Sequence, residues 1–208
     1  MDTARSASPT PDALTRLGGW LFSRRTWLPL PIVAALLLVH SDSAFVSQRT
    51  PVAWLGLAIV GLGEGVRLWA VHHIGVISRT RSDRLGPLVA TGPFSLVRNP
   101  LYLGNILLWL GLTISARLLW LAPLVVALLA LEYHAIVRWE EGLLTVRMGD
   151  RYRDYVSQVP RWRPLLRIPS PGTESFTWRQ TLFSERGTLI AIAVGYGLLW
   201  LKQLIAES

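Results

Sequence analysis

The chain alternates long apolar runs with short polar connections, and the runs approach the roughly 20 residues that a helix needs to cross a hydrocarbon core of about 30 Å. Residues 27–45, 52–73, 101–115, 118–137 and 187–205 read as spans. The second run carries Gly56, Gly61, Gly63 and Gly65, whose missing side chains let neighbouring helices approach closely. Only Arg117 and its neighbours separate the third run from the fourth, which predicts a tight hairpin. Residues 1–26 are polar, without helical periodicity, and are expected to form a loose cytoplasmic tail ahead of a single domain, 27–208. The fold class expected is therefore all-α: a polytopic transmembrane bundle of about five spans.

Charge adds an orientation. Arg5, Arg16, Arg24 and Arg25 lie in the tail, Arg79, Arg81, Arg84 and Arg98 follow the second run, and Arg138 to Arg167 follow the fourth. The alternate connections hold only Arg49 and Arg117. Lys and Arg gather on the cytoplasmic side of membrane proteins, so the amino terminus is placed inside a cell inner (plasma) membrane and the carboxyl terminus outside. Ser23-Arg24-Arg25-Thr26-Trp27-Leu28, with Ser41–Ala44 beyond it, also looks like a twin-arginine export signal. Export would have to carry several further spans across, which argues against it.

Composition narrows the chemistry. The 208 residues are 51% hydrophobic and 16% charged, against about 25% charged in soluble domains. The formal charge of +8 comes from clusters beside apolar runs, which topology explains without nucleic acid as a partner. The absence of cysteine excludes disulfides, thiolate nucleophiles and cysteine-ligated metals. His72 and His73 are adjacent, but no third ligand at a recognisable spacing accompanies them, so no metal is expected.

Two polar stretches exceed what helix packing requires. In 88–104, Gly92-Pro93 marks a turn, and Asn99-Pro100 offers a side-chain cap followed by proline at the first position of a helix. The free amides there suit an anionic group such as an amino-acid carboxylate. Tyr102 offers a face for stacking and Gly104 leaves room. For the Asn-Pro pair taken alone, a capped helix entry at the membrane interface is the favoured reading. In the second stretch, 138–164, Glu140 and Glu141 sit at the end of the fourth run, where negative charge opposes the helix dipole unless the helix continues. Arg138 and Glu141, three apart, can pair, while Glu140 faces Leu144 at i+4 and stays available for an amino group. Glu64 and Arg67, also three apart, read as an ion pair near the interface or as a substrate site. Glu132 and His134 read as interior hydrogen-bonding residues, and the ten tryptophans as interfacial anchors.

In order along the chain stand Arg67-Leu68-Trp69-Ala70, Leu88-Val89-x-Thr91-Gly92-x-Phe94, Arg98-x-Pro100-x-Tyr102-x-Gly104, Arg138-x-Glu140-Glu141, Gly149-x-x-Tyr152-x-x-Tyr155 and Val159-Pro160-x-x-x-Pro164. This series resembles the isoprenylcysteine carboxyl methyltransferase and phospholipid methyltransferase superfamily of integral membrane methyltransferases. The resemblance implies S-adenosylmethionine as cofactor, and an isoprenoid or lipid-like acceptor entering from the bilayer. It implies a cytoplasmic cofactor pocket formed by the loop before span three and the extension after span four. It puts the cofactor against Leu88, Val89, Gly92, Arg98, Asn99, Pro100, Tyr102, Gly104 and Glu141, with Glu140 and Arg138 as catalytic residues, Arg138 orienting an anionic acceptor.

The pattern departs from both branches. Asn99, Phe94 and Gly86 stand where isoprenylcysteine enzymes carry His, Tyr and His, and 73–77 has one glycine where phospholipid N-methyltransferases carry Gly-x-Gly. The acceptor group, whether carboxylate, hydroxyl or amine, stays open. A phospholipid N-methyltransferase is the alternative enzyme. A non-catalytic membrane scaffold of the same fold is a different class of reading, and a sterol-reductase-like enzyme a third, for which no basic pocket for a dinucleotide phosphate is evident.

Overall fold

A computed structural model describes residues 12–39, 49–75, 88–172 and 176–207. The end of the first expected span, the Ser41–Ala44 motif and the arginines at 79, 81 and 84 lie outside the described residues. Among the described residues the chain forms seven α-helices and no strand: α1 (Ala13–Arg24), α2 (Leu30–Leu38), α3 (Arg49–Ile74), α4 (Pro100–Ser115), α5 (Ala122–Met148), α6 (Asp150–Gln158) and α7 (Trp178–Glu207), with a 3-10 turn at Gly92–Ser95.

Among the described residues three helices are long and apolar enough to cross a membrane: Pro51–Ile74, Ala122–Met148 and Trp178–Ile205. The five expected spans are thus matched by three helices of full length. Pro100–Ser115 is apolar but has 16 residues, roughly 24 Å at 1.5 Å per residue. The described part of the first span is the nine-residue α2. Much of the outer surface is apolar, with Leu128, Leu131, Ile190, Val194 and Trp200 exposed, the distribution expected where lipid rather than water is the solvent.

α3 and α4 pack antiparallel at two glycine crossings. A Cβ on Gly111 would lie 2.6 Å from Gly56 O, and one on Gly63 would lie 2.8 Å from Gly104 O. Without an apolar driving force between helices in lipid, such backbone contact supplies the packing. Gly61 and Gly65 instead have nothing within 4 Å of an added Cβ. The core where α2, α5 and α7 meet holds Ile32, Leu36, Val125, Leu129, Ile136 and Leu199, with Leu118 and Leu121 from the hairpin between α4 and α5.

Three elements differ from the sequence expectation. Part of the expected loose tail is α1: Asp12 caps it by accepting from Thr15 N at 2.9 Å, and Gly18 lets it lie against α5, where an added Cβ would reach Ala135 O at 2.0 Å. Residues 118–121, read as the start of span four, form the hairpin, with Leu118 wholly buried and Arg117 at φ 60°. The last helix starts at Trp178, not at 187. Its first turns are polar because their partners lie on α3: His72 stacks on Trp178 at 4.1 Å and its Nδ1 lies 3.0 Å from Thr181 Oγ1.

Candidate functional site

The ends of α3 and α5 and the starts of α4 and α7 lie at one end of the bundle, and the two polar stretches meet there. The segment after α6 folds back across the loop before α4. Arg98 N donates to Pro160 O and Leu165 N to Leu96 O, each at 3.0 Å. Tyr155 donates its hydroxyl to Phe94 O at 2.7 Å, and Arg167 Nη2 donates to Ser95 O at 2.7 Å. Burial raises the pKa of the Tyr152 and Tyr155 hydroxyls well above the ordinary phenol range, so both remain protonated.

This docking assembles a charged cluster. Glu141 receives Arg161 on both oxygens, from Nε at 3.1 Å and Nη2 at 2.6 Å, the bidentate geometry in which arginine and carboxylate bind most strongly. Arg98 Nη1 lies 3.0 Å from Glu141 Oε1, but off axis, so its Nε and Nη1 hydrogens lack an in-line acceptor among the described residues. Tyr102 donates to Glu140 Oε2 at 3.1 Å, and its ring lies 4.8 Å from that of Tyr133. Arg161 thus ties Asn99 to Glu141, which Arg98 also approaches, while Tyr102 and Glu140 form a second pair beside them, the two glutamates being consecutive on α5.

Four expectations change. Asn99 makes no side-chain cap; its amide donates instead to Arg161 O at 3.3 Å, because the returning segment lies within reach. Pro100 does occupy the first turn of α4. Arg138 pairs with Asp12 at 2.8 Å rather than with Glu141, since α1 covers its side of α5. Glu140 is not free but bonded to Tyr102. Gly104 faces α3, where a Cβ would meet Arg67 Cγ at 2.5 Å; two residues apart on a helix means opposed faces, so it cannot share the direction of Tyr102. Gly92, at φ 54°, seats the His73 ring, which an added Cβ would meet at 2.3 Å. Leu88 packs on Tyr152, Tyr155 and Val159, and Val89 beside it is half-buried.

An open cleft of about 320 Å³ lies beside the cluster, lined by Thr15, Arg138, Glu141, Gly142, Thr145, Tyr152, Val156 and Arg161. Its walls come from α1, α5, α6 and the returning segment, and no described residue of the loop before α4 lines it, although Arg98 pairs with the lining Glu141. Thr15 and Arg161 were not singled out by the sequence; the Pro160–Pro164 bracket was the available sign that Arg161 is held rigidly. His134 accepts from Trp162 Nε1 at 3.4 Å. Among the described residues no three His, Asp or Glu side chains gather as a metal site.

Comparison with known proteins gives the cluster a context. The phospholipid methyltransferase family model matches residues 51–151, which hold α3, α4, α5 and both glutamates. The chain is 31% identical over 140 residues to a nickel-cobalt-cadmium resistance protein of Alcaligenes xylosoxydans xylosoxydans, covering 66% of this chain and 61% of that protein. It is 31% identical over 139 residues to a cobalt-zinc-cadmium resistance protein of Cupriavidus metallidurans, covering 66% and 60%. It is 35% identical over 102 residues to the phosphatidyl-N-methylethanolamine N-methyltransferase of Saccharomyces cerevisiae, covering 47% and 48%. The chain thus spans about three fifths of the first two relatives and about half of the third. No solved structure matches it. With its long apolar helices, this is a membrane protein, and it belongs to the superfamily of integral membrane methyltransferases that includes the phospholipid methyltransferases.

Proposed function

We propose that the protein transfers a methyl group from S-adenosylmethionine to a hydrophobic or lipid-linked acceptor. The observation that carries this reading is that two bonded groups, Arg98 and Asn99 with Glu141 and Arg161, and Tyr102 with Glu140, adjoin at consecutive glutamates of α5. The cofactor's amino-acid end carries one carboxylate and one ammonium. Arg98 is 10% exposed in its side chain, and its Nε and Nη1 hydrogens have no in-line acceptor among the described residues, which suits the carboxylate. Glu140, which accepts from Tyr102 through Oε2, suits the ammonium. When bound, the cofactor supplies an electrophilic sulfonium methyl group. The residues then have to bind, orient and exclude water, because the displacement disperses positive charge and needs no metal.

The topology in this proposal is five crossings of a cell inner membrane, with the amino terminus and the cluster in the cytoplasm. Arginine-rich connections at the cluster's end of the bundle support it. A carboxylate acceptor is nucleophilic as it stands. An amine must first lose a proton, for which Glu140 is placed; His134 already accepts from Trp162. The yeast relative supports an amine acceptor, so phospholipid N-methylation is the second reading. The test is a calorimetric titration of the purified protein with S-adenosylhomocysteine. One-to-one binding is expected; no binding by protein with intact helical dichroism leaves a non-catalytic scaffold in its place.

A further inference from the structure

Deeper in the bundle lies a second charged group that the cluster does not use. Arg67 on α3 donates through Nη1 to Asn105 Oδ1, and through Nη2 to Glu185 Oε2 and, at 3.1 Å, to Thr188 Oγ1 on α7. Its Nε lies 3.5 Å from Glu64 Oε2. Glu64 and Glu185 are 6% and 7% exposed. One guanidinium therefore faces two buried carboxylates, and its good hydrogen bonds go to Glu185, Asn105 and Thr188. Neither oxygen of Glu64 accepts a hydrogen bond among the described residues. A carboxylate whose cation lies 3.5 Å away and is shared with a second carboxylate is incompletely compensated in a low-dielectric interior, and a compact cation bearing N–H groups would complete it.

The surroundings indicate how such a cation arrives. Gly65, next to Glu64, and Gly61, one turn away, have open space where a side chain would be, so the outer face of α3 is bare backbone beside the position of the buried Glu64. α7, on the far side of Arg67, has only 6% of its span buried. The site thus borders the lipid-facing surface. Asn105, bonded to Arg67, stands one helical turn from Tyr102 on α4, which puts the site next to the Tyr102–Glu140 pair.

We propose that Glu64, backed by Arg67 and Glu185, binds the protonated amine of an amphipathic ligand whose apolar tail lies in the bilayer. As the docking place of the methyl acceptor this rests on the function proposed above; as a cation site it stands alone. The probe is N-methyldodecylamine, titrated against nanodisc-embedded protein and read as a rise in melting temperature. Dodecanoate and dodecanol serve as anionic and neutral tails, and ammonium chloride as a cation without one. The expected result is stabilisation by the amine alone, with Glu64→Gln raising the half-saturating concentration at least tenfold. Where Glu64→Gln does not fold, Gly65→Leu, which fills the open space and keeps the carboxylate, is read in the same way. Equal responses of wild type and folded variant overturn the proposal, as does stabilisation by dodecanoate. Stabilisation by ammonium chloride at matching concentration overturns the amphipathic ligand in favour of an inorganic cation. S-adenosylhomocysteine affinity is expected to be the same in Glu64→Gln as in wild type; its absence from both removes the proposed methyl transfer without touching the amine result.

Discussion

Gly111→Ala tests whether α3 and α4 are held by backbone contact. The added Cβ would lie 2.6 Å from Gly56 O, 2.6 Å from Val60 Cγ2 and 2.7 Å from Val60 N. Two of those atoms are backbone and cannot turn aside, so the helices must separate by more than about half an ångström, given ordinary carbon contacts of about 3.5 Å or more. Overpacking of this kind costs roughly 1–3 kcal/mol. In water, Ala would return about 1 kcal/mol through helix propensity. A membrane helix stays helical when its neighbours leave, so that compensation is largely absent here. For a domain of this size the loss corresponds to a fall in melting temperature of at least about 2–4 °C. Thermal unfolding in nanodiscs, followed by tryptophan fluorescence, measures it. Gly61→Ala, with nothing within 4 Å of the new Cβ, should melt with the wild type. Equal melting of all three proteins, or equal loss in both variants, would refute the crossing as drawn.

At the cluster, Glu141→Gln should weaken S-adenosylhomocysteine binding at least about tenfold, since charged hydrogen bonds of this kind contribute roughly 1.5–3 kcal/mol each and 1.4 kcal/mol is a decade. Arg138→Gln, whose side chain is 40% exposed and paired with Asp12, should leave that affinity unchanged; equal losses in the two variants would mean the cluster is misread. Tyr155→Phe leaves Phe94 O without its donor and should destabilise by roughly 1–3 kcal/mol, read by melting at neutral pH. Because burial raises the Tyr155 pKa, the stability it contributes is present below the ordinary phenol value near 10 and is lost as pH rises beyond it. Tyr155→Phe should therefore flatten the alkaline fall in melting temperature, and an unaltered fall would place its cause elsewhere.

Three spans were legible because lipid demands long apolar runs, and Arg98, Tyr102, Glu140 and Glu141 stood out as polar positions in stretches that packing alone does not need. What was hidden depended on distance in the chain. Arg138 and Glu141 share a helix and looked like partners, yet Asp12 and Arg161 take them, since a tertiary partner with better geometry displaces an i,i+3 neighbour. Gly56, Gly61, Gly63 and Gly65 looked alike in sequence. Only Gly56 and Gly63, seven apart and so on one face, meet α4, and the pairing with Gly111 and Gly104 supplies the missing rule. α1 escaped notice because its polar and apolar residues fit an interface rather than a span.

The placement of α7 follows from the same absence of apolar attraction in lipid. Its membrane span is scarcely buried, yet it is tied at intervals along one side: Trp178 and Thr181 to His72, Glu185 and Thr188 to Arg67, Tyr196 to Ser115 at 3.0 Å. At the far end Lys202 Nζ donates to Leu36 O at 2.7 Å and to Val39 O at 2.6 Å, closing the carbonyls left open where α2 ends. Polar bonds therefore do for α7 what glycine contact does for α4. Arg67 joins α3 to α4 through Asn105 and to α7 through Glu185, so the attachment of the outer helix and the setting of the Asn105 turn beside Tyr102 share one side chain. A disturbance of α7 at Glu185 is then passed through Arg67 to Asn105, one helical turn from the Tyr102 that holds Glu140, which links the lipid-facing side of the bundle to its charged end.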